Sequence, residues 1–214
     1  MEEFDRSRQA LGICLATLAG YVDALGFLAG DSYFVSFMSG NTTRLAVDLS
    51  ENWATAIFPA LLIAGFISGV TAGSMLASLA GPWRKPAILG LVSILLMAAA
   101  GFQTIGQIHS TLGALVFAMG AINNTLQKDE TPIGLTYMTG ALVRLGQGLA
   151  SLLMGKRRKG SLLYGLLWLG LAGGAVVGAL AHELIGAGAL WIAAMAAWAM
   201  TLMAWKIARP KSSA

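Results

Sequence analysis

Ser36-Phe37-Met38-Ser39-Gly40-Asn41-Thr42-Thr43-Arg44-Leu45-Ala46-Val47-Asp48-Leu49 returns one hundred positions later as Thr136-Tyr137-Met138-Thr139-Gly140-Ala141-Leu142-Val143-Arg144-Leu145-Gly146-Gln147-Gly148-Leu149. Five of these pairs are identical, and four more exchange Ser for Thr, Phe for Tyr or Ala for Gly. Upstream the register holds, because Gly20 falls on Gly120 and Asp23 on Asn123. Downstream, Gly65, Gly69 and Gly73 match Gly170, Gly174 and Gly178 at an offset of 105, which fits about five extra residues around Lys156-Arg157-Arg158-Lys159. Apolar matches alone arise by chance in a Gly- and Ala-rich chain; an ordered series of polar and glycine matches reads as a duplication. The repeats cover residues 9–106 and 111–207.

The composition places the pair of repeats in a bilayer. Hydrophobic residues make up 57% and charged residues 11% of the 214 positions, against about 25% charged in a soluble domain. At roughly 20 residues per crossing plus short loops, residues 1–214 form a single membrane domain with no room for a soluble module. The net charge of +4 comes from cations in short loops, where they set orientation, so nucleic acid is not expected as a partner. A single cysteine, Cys14, excludes an internal disulfide and a thiolate metal cluster. Residues 1–8 are too acidic and lack a cleavage signal, so the first apolar run is expected to stay as a span.

Apolar runs predict spans over 9–29, 54–80, 87–105, 111–126, 162–185 and 189–207. The segment 33–50 and its twin 134–155 turn polar midway and make poor spans. If both crossed fully, an inside amino terminus would leave nine loop cations inside and three outside; if each dips in and returns, all twelve Lys and Arg outside the two motifs fall inside. The positive-inside rule favours the second plan. The expected fold is therefore all-α and polytopic: six transmembrane helices plus two broken or re-entrant segments, both termini cytoplasmic. Three spans per half means that the second half enters upside down, giving two inverted three-span repeats.

A helix that stops inside a bilayer leaves backbone groups without partners, at several kcal/mol each unless protein, water or solute supplies them. The breaks are thus expected to line a cavity. Ser39, Gly40, Asn41, Thr42 and Arg44 in the first motif, and Thr139, Gly140 and Arg144 in the second, are candidate solute-binding residues. Asp23 joins them because an intramembrane carboxylate costs about 2.5–3.5 kcal/mol and is usually functional; a salt bridge to Arg44 or Arg144 is its structural alternative. Asn123 and Asn124 join through their register with Asp23, with plain interhelical hydrogen bonding as the other reading. For the arginines, anion binding, pairing with Asp23 or Asp48, and snorkelling to the interface all stay open. His109 and His182-Glu183 carry no comparable signal. No catalytic constellation, metal site or cofactor motif is present, and an enzyme is not expected.

Gly20-Tyr21-Val22-Asp23-Ala24-Leu25-Gly26-Phe27, Phe37-Met38-Ser39-Gly40-Asn41-Thr42 and the later Leu135-Thr136-Tyr137-Met138-Thr139-Gly140 with Val143-Arg144-Leu145-Gly146-Gln147 resemble the motifs of the YoaK-like family of bacterial membrane proteins. That resemblance implies a location, the bacterial inner membrane, and about six spans; it implies no substrate. The expected function is an integral membrane transporter or channel for a small polar or anionic solute or ion. The alternative is a non-transporting assembly or sensor protein. The lipid bilayer is the expected surrounding partner, and the glycine stripes on a small body point to a homo-oligomer.

Overall fold

The computed structural model describes residues 6–128, 131–132, 137–156 and 160–208. Residues 157–159 of the basic loop, residues 133–136 ahead of the second motif, and the terminal Arg209 and Lys211 lie outside the described residues. The fold is all-α: α1 (Arg6–Ala29), α2 (Met38–Glu51), α3 (Trp53–Ala80), α4 (Arg84–Thr104), α5 (Ile108–Ile122), α6 (Met138–Leu153), α7 (Ser161–Ile185) and α8 (Ala189–Ala208). A two-residue antiparallel pairing of Gln127–Lys128 with Thr131–Pro132 is the extended exception among the described residues.

Three segments are long and apolar enough to cross a membrane: Gln9–Ala29, Trp53–Thr104 and Ser161–Lys206. The second and third each fold into two legs at a glycine-led 3₁₀ turn, Gly81–Trp83 and Gly186–Gly188. Gly81 (φ 51°, ψ −119°) and Gly186 (φ 52°, ψ −127°) adopt nearly the same backbone conformation, one that L side chains rarely reach, and they lie 105 positions apart. The register read in the glycine stripes therefore continues through the turns into α4 and α8.

Glycines set the tightest helix contacts, because helices in lipid associate through close backbone packing rather than through a hydrophobic force. A Cβ at Gly20 would collide with the Leu171 carbonyl on α7, and one at Gly120 with the Phe66 carbonyl on α3. Gly174 abuts the Thr17 carbonyl as Gly69 abuts that of Phe117; Gly178 meets Tyr21 as Gly73 meets Ala121. Each pair maps on the other by adding 100 on α1 and 105 on α3. Each half thus packs its first helix, α1 or α5, against a helix of the other half. Leu25, Leu89, Val92, Leu96, Leu115, Met119, Ile122 and Leu190, all fully buried, fill the space between them.

The motif helices differ from expectation. Both α2 and α6 are unbroken through Met38–Asp48 and its counterpart; the interruption lies ahead of the motif, between α1 and α2. It follows from residues 30–32, where Asp31 (φ 47°) and Ser32 (φ 65°) turn left-handed, a conformation aspartate tolerates better than most residues. Helix α5 also ends four residues earlier than its apolar run, so Asn123 and Asn124 sit in the turn beyond it.

Candidate functional site

Residues 33–37 run back along α2, which begins at Met38 and leads out again. Three side chains hold this return path. The Asp23 Oδ1 accepts hydrogen bonds from the backbone N–H groups of Val35 (2.9 Å) and Ser36 (2.8 Å). Asn41, 1% exposed, closes a two-way pair on Phe34: its Nδ2 donates to the Phe34 carbonyl at 2.7 Å and its Oδ1 accepts from the Phe34 N–H at 3.0 Å. Arg44 Nη1 donates to the Asp31 carbonyl at 3.0 Å while its guanidinium lies 4.3 Å from the Tyr33 ring centroid. The backbone groups freed by the break are therefore satisfied by protein, and Asp23 is bound to N–H donors rather than to an arginine.

The remaining residues of the first motif have simpler settings. Thr42 and Thr43 donate back to the Met38 and Ser39 carbonyls within α2, and Ser39 and Thr42 face outward on the isolated chain. Gly40 is required where it stands: a Cβ there would press on the Phe37 and Phe34 rings. In the second motif Thr139, Gly140 and Arg144 lie toward the outside of the chain. Arg144 donates to the Tyr164 hydroxyl at 2.6 Å, with that ring 5.0 Å away. Among the described residues neither arginine pairs with Asp23 or Asp48.

Helix α2 packs on α3 and α6 packs on α7, and the described residues of α2 and α6 do not touch. What does come together is α1 with α5, the helices that carry Asp23 and lead into Asn123 and Asn124. Asn123 donates to the Met119 carbonyl at 2.8 Å. Asn124 donates to the Val70 carbonyl of α3 at 3.1 Å, but among the described residues its Oδ1 is enclosed without a hydrogen-bond partner, as is the Thr125 Oγ1. Sequence reading missed Thr125, whose only signal is its place after two asparagines in an apolar run. It also missed Phe34 and Tyr33, which enter the site through backbone and ring rather than through polar side chains.

Apolar helices of membrane-crossing length, with a carboxylate satisfying backbone donors at an interrupted helix, define a transmembrane helical protein. The chain belongs to the family described as protein of unknown function (DUF1275), whose model matches residues 11–203, an assignment in keeping with the motif resemblance. It is 40% identical over 210 residues to the UPF0700 transmembrane protein RA0705 of Rhizobium meliloti (strain 1021), covering 95% of this chain and 91% of that one. No solved structure matches the chain.

Proposed function

We propose that the protein is a six-span inner-membrane transporter or channel for a small polar solute, built as two inverted three-span halves with both termini cytoplasmic. The observation that carries this reading is that, among the described residues, the Asn124 Oδ1 and the Thr125 Oγ1 are enclosed without a partner, beside Asn123, whose counterpart in the first half is Asp23. A buried polar atom without a partner is rare and calls for a guest, and an intramembrane polar cluster is by default a path for one. The matched glycine contacts and the matched turns at Gly81 and Gly186 support the duplication on which the inverted plan rests. Because the unpartnered groups are an amide oxygen and a hydroxyl, the site suits a solute bearing hydrogen-bond donors better than an anion.

Flux of small solutes into vesicles containing the purified protein tests this. Asp23→Asn keeps an acceptor for Val35 and Ser36, and Asn124→Leu removes the orphan oxygen; both are expected to assemble with flux greatly reduced. Wild-type flux in both variants would refute the proposed path. A second reading, a non-transporting assembly or sensor protein acting as an oligomer or with a protein partner, draws on the outward faces of α2 and α6. It predicts no flux of any solute, and a protein partner that ceases to bind once Thr42 or Thr139 is substituted.

A further inference from the structure

A cleft of about 240 Å³ lies between α1 and α8, lined by Cys14, Thr17 and Tyr21 on one side and Ala193, Ala196 and Met200 on the other, with Leu18 and Ile192 completing it. Its origin is an inequality between the halves. At the register of 105, Ala193 and Ala196 of α8 stand where α4 has Ile88 and Leu91; Ile88 is fully buried and Leu91 packs on the core. Helix α4 packs closely along α5, whereas α8 touches α1 only lightly. The branched side chains that close one joint are missing from the other.

We propose that this cleft binds one acyl chain of an anionic phospholipid, with the lipid phosphate beside Lys206. The lining has no hydroxyl donor to spare: Thr17 donates to the Ile13 carbonyl and Tyr21 to the Ala189 carbonyl, each at 2.9 Å. An apolar cleft with no donor to spare offers water little and suits hydrocarbon. The lining residues recur along one face of each helix for two turns, about 10–12 Å at 1.5 Å per residue, which makes a slot parallel to the helices.

Charge fixes the headgroup end. Gly174 on Thr17 and Gly178 on Tyr21 make α1 parallel to α7, and α8 turns back from α7 at Gly186–Gly188, so Cys14 and Met200 mark the end of the slot nearest the start of α1 and the end of α8. Lys206 is exposed there, about 9 Å beyond Met200 along the helix. A cation beside an anionic headgroup is worth about fivefold in affinity.

The test uses the full chain in phosphatidylcholine vesicles doped with a lipid that carries a photoactivatable group in one acyl chain, the headgroup being either phosphatidylglycerol or phosphatidylcholine. Crosslinks are expected to concentrate on residues 14–21 and 192–200, about fivefold more with the phosphatidylglycerol probe. Ala196→Leu, which restores the α4 residue, should remove them while leaving crosslinks to the lipid-exposed face of α3 unchanged. Lys206→Glu should abolish the headgroup preference, and it carries the test if Ala196→Leu fails to assemble. Uniform labelling of exposed helix faces, equal labelling by both headgroups, an unchanged preference in Lys206→Glu, or crosslinking of Cys14 between two copies would each overturn the proposal.

Discussion

The first motif and its second-half counterpart share glycines and arginines, but their described side chains hold different partners. Between α1 and α2, Asp23 holds Val35 and Ser36, Asn41 holds Phe34, and Arg44 holds Asp31. In the second half, among the described residues, Ala141 stands at the position of Asn41 and has no amide to offer, and Arg144 turns to Tyr164. The glycines and arginines recur in both motifs, whereas the amide of Asn41 has no equivalent at Ala141.

Substitutions can break this comparison, beginning with what the halves share. Alanine at Gly20 or at Gly120 drives a methyl into a facing carbonyl, an overpacking cost of about 3 kcal/mol or more in so tight a contact. Thermal unfolding in detergent should show comparable losses for the two variants; a large loss for one alone would mean that the halves do not pack equivalently. Asn41→Ala converts the first half toward the second and strips two hydrogen bonds from buried backbone, for about 2–3 kcal/mol. The reverse change, Ala141→Asn, should give no comparable gain.

The arginines sharpen the comparison further. Arg44→Ala removes a hydrogen bond to a backbone carbonyl together with its ring contact, about 1–2 kcal/mol. Arg144→Ala, on an exposed site, should cost about 0.5–1 kcal/mol. Equal losses in the same unfolding assay would show that the two motifs are fastened alike after all.

Much of the fold was legible in the sequence, because lipid-facing length and close glycine packing leave one-dimensional traces: the apolar runs place most helix ends within a few residues, and the offsets of 100 and 105 hold at the glycine contacts. The end of α5 was not legible, since no glycine or proline follows Ile122 to mark it. The roles of Asp23 and Asn41 were hidden for another reason. Their partners are backbone groups of residues 34–36, and a backbone donor has no letter in the sequence. Nor does a motif state which way it faces: tertiary packing puts α2 against α3 and α6 against α7.

The contact of Gly20 with Leu171 also sets a timetable. About 150 residues separate the two, and at roughly 5–20 residues per second the ribosome takes roughly 8–30 s to deliver the second after the first. By about the last third of that interval α3 and α5 have both been made, while the glycine face of α1 still waits for α7. Final assembly therefore waits for nearly the last helix, and a ribosome stalled after α6 leaves a membrane-inserted intermediate whose recognisable mark to quality control is an uncovered α1.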